Sequence, residues 1–221
     1  MPEGNRMKTI DTIERLLPKD IEKRSFEIIS EELEKRNIKL DTDKESIIKR
    51  AIHTGADFEY AHTLVFSKDA VKIVKDLIKN GADIVTDTNM AMSGINKKIL
   101  AKFGGEVHCF MADEDIAKEA EEKGETRAYV SMRKASKINK PLIFAIGNAP
   151  TALVSLYEMY ESKEYIPAFV IGVPVGFVNV EASKVLIEET DIPYIVNEGR
   201  KGGSNIAAAI CNAILYELDK E

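Results

Sequence analysis

The alternation of short apolar strands with helices after residue 82 constrains the fold of this chain most strongly. Five apolar runs of strand length follow one another, and each leads through a loop towards a helical pattern. Short apolar runs that alternate with helices are typical of a parallel sheet. We therefore predict a three-layer, doubly wound α/β fold around a mainly parallel five-stranded sheet. The predicted strands span residues 84–87, 107–111, 142–146, 168–171 and 194–196.

The first eighty residues lack this strand pattern and show helical periodicity instead. Ser25 lies four residues after Ile21 and three before Ile28, which predicts that its hydroxyl shares their inward stripe. No linker, repeat or low-complexity segment divides the chain. We therefore predict one domain over 1–221, in which a helical segment of residues 1–80 packs on the sheet built by residues 82–221. The helices predicted in this segment span 20–35, 43–55 and 68–80, with Ser67 as the N-cap of the last and with residues 57–66 helical or irregular.

Arg50 and His53 lie at the end of the second predicted helix. Because they are three residues apart, they share one helical face. The following Gly55 is suited to a left-handed C-cap, so we expect His53 in the last turn of the helix. The exposed carbonyls of that turn favour a protonated imidazole, whereas the positive charge of Arg50 disfavours one. Taken alone, such a histidine is more often structural than catalytic, and the residues themselves leave both interpretations open.

Loops at the carboxyl ends of the predicted strands hold the candidate ligand-binding groups. In open α/β sheets ligands bind at this edge, and glycine-rich loops lead into helices here at 147–148, 172–176 and 199–204. Such helix starts offer N–H groups to anions, Arg200 adds positive charge, and Ser204 is suited to an N-cap. Tight turns alone explain the glycines of any one loop, but three loops on one edge favour an anionic ligand.

Composition and missing motifs argue against several classes of protein. A net charge of −6 without a basic stripe argues against a nucleic-acid partner. We expect a cytoplasmic protein, because the chain shows no signal-peptide pattern and no apolar run of membrane length, and because Cys109 and Cys211 form no CxxC pair. No pair among His53, His62 and His108 has zinc-site spacing, so we predict no metal site. The dinucleotide, P-loop and α/β-hydrolase signatures are absent as well.

Seven stretches of the chain together resemble the precorrin-8X methylmutase family, which is also called precorrin isomerase and includes cobalt-precorrin-8 methylmutases. They run from near the start of the chain to near its end, so the resemblance covers almost the whole length. The GNAPTAL and GxPVGFV stretches are the most specific, because a chance match to both in order is implausible. The stretches are RSFEII at 24–29, RAIH at 50–53, FS at 66–67, IGNAPTAL at 146–153, IGVPVGFV at 171–178, EASK at 181–184 and GRKGGS at 199–204.

The resemblance implies a flavodoxin-like fold and an isomerase of corrin-ring biosynthesis. The reaction it implies moves a methyl group from C-11 to C-12 of precorrin-8 or its cobalt form, giving hydrogenobyrinate or cobyrinate, without a cofactor. His53 matches the histidine that acts as the acid and base. The implied substrate is a tetrapyrrole with several carboxylates, and the implied assembly is a homodimer. By family position or by place in the loops, we assign substrate binding to Ser25, Arg50, Asn89, Arg127, Asn148, Arg200, Gly202 and Ser204.

Two other functions fit the same residues. The loop at 199–204 would also suit the phosphate of a nucleotide or sugar-phosphate substrate on this fold. A tetrapyrrole carrier without catalytic activity would show the same binding residues as the isomerase. Multiple turnovers with a corrin precursor separate the enzyme from both.

Overall fold

The computed structural model of the chain describes residue 10 and residues 13–220, and the chain forms two units. The first unit, Met1–Lys39, contains helix α1 (Pro18–Lys35), which starts at a proline because the first helical N–H needs no partner within the helix. On α1 the hydroxyl of Ser25 donates to the carbonyl of Ile21 at 3.0 Å. Ile21 and Ile28 are 52% and 47% exposed, so the inward stripe predicted through Ser25 is wrong at these positions.

The second unit, Leu40–Glu221, is built on a six-stranded sheet. Its strands are β1 (Leu64–Phe66), β2 (Asp83–Thr86), β3 (Val107–His108), β4 (Leu142–Ile146), β5 (Phe169–Gly172) and β6 (Tyr194–Asn197). The order across the sheet is β1-β6-β5-β4-β2-β3, and every pair is parallel except β1 with β6. The predicted doubly wound, mainly parallel α/β fold is confirmed.

Helices cover both faces of this sheet. They are α2 (Glu45–Gly55), α3 (Tyr60–Thr63), α4 (Ala70–Lys79), α5 (Asn89–Gly94), α6 (Lys97–Lys102), α7 (Glu114–Lys123), α8 (Arg127–Ala135), α9 (Pro150–Glu161), α10 (Val180–Glu188) and α11 (Ser204–Leu218). One face carries α11 with α2, α4, α5 and α6 around it, and the other carries α8, α9 and α10. Every residue of β4 and β5 is therefore buried, as continuous apolar runs in a parallel sheet require.

Strand β1 makes the predicted count of five strands wrong, since the sheet has a sixth strand at its edge. It lies in a segment predicted to be helical or irregular, and it pairs antiparallel with β6. Its three residues are too few to show a period-two pattern, and the short helix α3 runs directly into it. The predicted N-cap role of Ser67 is also wrong, because its hydroxyl accepts the N–H of Tyr194 at 2.8 Å while α4 begins at Ala70.

The last turn of α2 lies beside the first turn of α11. A Cβ added at Gly55 would lie 2.8 Å from Cε2 of Tyr60 on α3, so glycine permits the close approach of the Tyr60 ring, while the 3.7 Å to Cδ1 of Ile206 on α11 is an ordinary contact. The predicted left-handed C-cap at Gly55 is wrong: Gly55 is helical, and Ala56 takes the left-handed conformation with φ 49°.

Asp83 is a buried carboxylate at the start of β2, and three donors hold its ionised form. Its Oδ1 accepts from the N–H of Glu106 and from Nζ of Lys140, both at 2.8 Å, and its Oδ2 lies 2.9 Å from Nε2 of His108. Burial raises the pKa of this carboxyl, but the three partners outweigh burial and the net shift of the pKa is downward.

Acid is expected to remove the stability that Asp83 contributes. A carboxyl with a lowered pKa in the folded state stabilises the protein fully above its unfolded pKa of about 4, and this contribution is lost as the pH falls through the folded pKa. In denaturant unfolding, the gap between wild type and Asp83→Asn should narrow between about pH 7 and about pH 3. Asp76→Asn, at an exposed position of α4, is the control. A gap for Asp83→Asn that is equal at both pH values would contradict this account.

Candidate functional site

Backbone hydrogen bonds join the strand-end loops into one cluster. The N–H of Val173 after β5 donates to the carbonyl of Ile146 at the end of β4, at 2.8 Å. The N–H of Gly203 after β6 donates to the carbonyl of Val173 at 2.9 Å, and the N–H of Gly176 donates to Arg200 at 3.1 Å. The loops at 147–148, 172–176 and 199–204 are thus in mutual contact, which confirms that they share the carboxyl edge of the sheet.

Two glycines allow this close approach of backbones. A Cβ at Gly147 would lie 2.6 Å from Cα of Ser204, and a Cβ at Gly202 would lie 2.0 Å from the carbonyl oxygen of Val173. Gly202 also has φ 152°, which L side chains rarely adopt. The structure therefore gives Gly202 a definite role in closing the loop cluster.

Asp87, directly after β2, occupies the amides that lead into α9. Its Oδ1 accepts the N–H of Gly147 at 2.9 Å, and its Oδ2 accepts the N–H groups of Asn148 and Ala149 at 2.8 and 2.6 Å. Burial raises the pKa of the Asp87 carboxyl, and the three amide donors act to lower it. Since both carboxyl oxygens accept hydrogen bonds, the geometry is that of the ionised form. The prediction that this helix start presents unpaired N–H groups to a ligand is wrong, because an internal carboxylate already binds them.

Ser204 ties α11 to the loop after β2. Its Oγ lies 2.8 Å from Oγ1 of Thr88, which in turn accepts the N–H of Ala91 and caps α5. The N-cap of α11 is Gly203, so the predicted N-cap role of Ser204 is wrong. Asn89, the first residue of α5, is exposed beside this contact.

His53 is exposed in the last turn of α2, at the place where α2 meets the start of α11. Lys201 lies in the loop at 199–204, called the glycine loop below, and binds the segment that follows α2. Its Nζ lies 2.5 Å from a carboxylate oxygen of Asp57 and 2.6 Å from one of Glu59. Asp57 therefore pairs with Lys201, and the lysine lowers the pKa of the Asp57 carboxyl. The structure places His53 close in the fold to the loop at 199–204.

Arg50 points along α11 towards its far end. Its guanidinium carbon lies 5.0 Å from the ring centre of Tyr216, in the last turn of α11. A cation over an aromatic face is a stabilising contact. Arg50 is therefore not among the side chains that this chain gathers at the strand ends.

Arg127 and Asn148 line one cavity of about 530 Å³. Arg127 is the first residue of α8, and Thr126 before it accepts the N–H of Tyr129 as the helix N-cap. Thr126 and Thr151 are joined by their hydroxyls at 2.7 Å across the cavity wall. The remaining lining residues are Met111, Ala128, Ala149, Pro150, Val154, Val178 and Asn179.

Arg200 is exposed on the glycine loop. Its Nε lies 2.7 Å from a carboxylate oxygen of Glu181, and its guanidinium carbon lies 5.7 Å from the ring centre of Phe177. Both Arg200 and Glu181 are more than half exposed, and such surface pairs contribute little stability. A ligand carboxylate can therefore replace Glu181 at small cost.

The part of the chain that the structure describes contains no cluster of three or more His, Cys, Asp or Glu side chains that could hold a metal ion. Within the same residues, no helix is both long and apolar enough to cross a membrane.

The fold is that of a doubly wound α/β protein whose strand-end loops meet at the carboxyl edge of the sheet, the edge at which proteins of this class bind their ligands. Residues 20–217 match the family model described as precorrin-8X methylmutase. The chain is 43% identical over 203 residues to a cobalt-precorrin-8 methylmutase of Priestia megaterium, covering 91% of this chain and 89% of that protein, and 43% identical over 207 residues to one of Salmonella typhimurium, covering 91% and 96%. A solved precorrin-8X methylmutase from Thermus thermophilus superposes with a TM-score of 0.81 at 34% identity, covering 91% of this chain and 98% of that one. The chain belongs to the precorrin-8X methylmutase family and is an isomerase.

Proposed function

We propose that this isomerase of cobalamin biosynthesis moves a methyl group from C-11 to C-12 of cobalt-precorrin-8 and releases cobyrinate. Membership of the family supports the reaction class. The cobalt form is favoured because the two relatives at 43% identity bear the name of the cobalt enzyme. The observation that carries the proposal is the exposed His53 at the junction of α2 with the start of α11 and the glycine loop.

His53 is proposed to move one proton onto and off the macrocycle. An imidazole titrates near neutral pH, so it can give a proton and take it back in one cycle. Protonation makes the conjugated ring electron-poor, the methyl group then migrates by a suprafacial [1,5] shift, and return of the proton to His53 restores the enzyme. No electron is gained or lost overall, so the step needs no redox partner.

The carboxylates of the macrocycle are proposed to bind the polar groups around the loop cluster. Arg200 can exchange its exposed partner Glu181 for a carboxylate in bidentate geometry. Arg127 and Asn148 share a cavity wide enough for an acidic side chain of the ring. Asn89, Gly202 and Ser204, at or beside the loop cluster, are further proposed substrate-binding residues. Ser25 and Arg50 are proposed to bind substrate on the strength of the resemblance alone, and neither is assigned to the loop cluster.

Cobalt is proposed to belong to the substrate, with no resident metal or organic cofactor in the protein. Protonation and methyl migration need only an acid that recovers its proton and a site that orients the ring. We further propose that the protein acts as a cytoplasmic homodimer, as the resemblance implies.

Incubation with excess cobalt-precorrin-8 tests the function. We expect the visible absorption spectrum to change to that of the corrin product, with many equivalents of substrate consumed for each protein chain. A parallel incubation with metal-free precorrin-8 should proceed more slowly if cobalt belongs to the natural substrate. Consumption limited to one equivalent would identify a carrier, and binding of ATP or sugar phosphates without any spectral change would identify a phosphate-handling protein.

A further inference from the structure

Lys184 on α10 is a buried cation that the proposed reaction does not use. Its side chain is 1% exposed, although lysine is almost never fully buried without partners. Its Nζ donates to the main-chain carbonyl of Gly199 at 2.7 Å and to that of Lys201 at 2.9 Å. Both acceptors belong to the glycine loop that follows β6 and are two residues apart. One ammonium group therefore binds two carbonyls of this loop from the protein interior.

The orientation of these carbonyls fixes the orientation of the next amides. In a trans peptide the C=O and the following N–H point in opposite directions, and the described chain contains no cis peptide bond. Since the carbonyls of Gly199 and Lys201 point at Lys184, the N–H groups of Arg200 and Gly202 point away from it. Within the described residues neither of these N–H groups donates a hydrogen bond to the protein.

A second contact reinforces the same orientation. The side-chain amide of Asn197 donates to the carbonyls of Lys201 and Glu198 at 2.9 and 3.1 Å. The carbonyl of Lys201 thus accepts two donors from the inner side of the loop. Gly199, Gly202 and Gly203 have positive φ angles and no side chains, so this loop could adopt other conformations without these two donors.

We propose that Lys184 is a positioning residue for carboxylate binding. It holds the loop at 199–203 so that two free amides and the Arg200 side chain face the ligand together, and it acts through the loop without touching the ligand itself. This inference rests on the proposed function, since the carboxylates are those of the tetrapyrrole. Burial lowers the pKa of the Lys184 ammonium to about 8, while the nearby carboxylates of Glu181 and Glu188 act against burial.

Lys184→Met tests the inference, because methionine matches the length of the lysine stem and removes its N–H donors. We expect KM for cobalt-precorrin-8 to rise about tenfold while kcat stays within about twofold, since a binding contact is lost and the acid remains. Lys184→Gln keeps two N–H donors and should recover part of the loss in KM. Ser183→Ala is the matched control on the same helix, because its buried hydroxyl bonds only the carbonyl of Val180 on α10 itself.

The kinetic split separates positioning from a purely structural role. A structural lysine would change the fraction of folded protein, which lowers kcat for the whole sample and leaves KM alone. Amide hydrogen exchange in the free protein provides a readout that needs no substrate: Lys184→Met should accelerate exchange of the Gly203 amide, which donates to Val173, and of the Gly176 amide, which donates to Arg200. Wild-type turnover with an unchanged KM in Lys184→Met would overturn the role of Lys184. Absence of turnover in the wild type would instead overturn the proposed function, and with it the ligand assigned to the loop.

Discussion

His53→Ala is expected to lower kcat for methyl migration by about 10²–10⁴-fold, the usual loss when a general acid or base is removed. KM should change little, because His53 lies at the end of α2 and the proposed carboxylate contacts lie elsewhere on the loop cluster. Steady-state rates at a series of cobalt-precorrin-8 concentrations, followed by absorption spectroscopy, measure both quantities, since substrate and product differ in their conjugation.

His62→Ala is the matched control for this variant. His62 is also an exposed histidine in the last turn of a helix, here the short α3. Its removal should leave kcat within about twofold of wild type, as for a surface substitution. Full turnover by His53→Ala at saturating substrate would remove His53 from the mechanism, and an equal loss in both variants would point to damage of the fold.

The pattern of apolar residues predicts most of the sheet, because parallel strands that are buried on both faces consist of continuous apolar runs. Residues 142–146 match β4 at both ends, and the other predicted strands of the sheet overlap β2, β3, β5 and β6. Strand β1 is not predicted, because it is three residues long and depends on β6 for its hydrogen bonds. A pairing that is decided by tertiary contacts leaves no local pattern to read.

The predicted site shows a similar division. Spacing and turn chemistry place His53 in the last turn of α2, because helix ends are local features. Asp87 and Lys184 have no such signal: each is a charged residue whose partners lie 60 or 15 positions along the chain, respectively. The one hint is that Asp87 directly follows a buried strand, where a carboxylate must find donors. Arg50 shares a helical face with His53, but its length carries it to Tyr216 instead.

Asp87→Ala is expected to have the largest effect on stability. The Asp87 carboxylate accepts three amide N–H groups that lead into α9, and the side chain is completely buried. Alanine leaves all three donors without their acceptor, and the buried amide of Gly147 cannot turn to solvent because its backbone is packed against Ser204. We expect the free energy of unfolding to fall by about 3–5 kcal/mol, the range found when one partner of a buried charged contact is removed.

Denaturant unfolding followed by circular dichroism measures this loss, and two further variants locate its origin. Asp76→Ala removes an exposed carboxylate on α4 and should change the unfolding free energy by no more than about 0.5 kcal/mol. Asp87→Asn keeps one acceptor oxygen but turns an NH₂ group towards the amide donors, so its free energy of unfolding should fall nearly as far as that of Asp87→Ala. If the side chain had only a steric role, Asp87→Asn would instead be as stable as wild type. A stability of Asp87→Asn equal to wild type would contradict this prediction, because it would show that the charge and the second acceptor oxygen are dispensable.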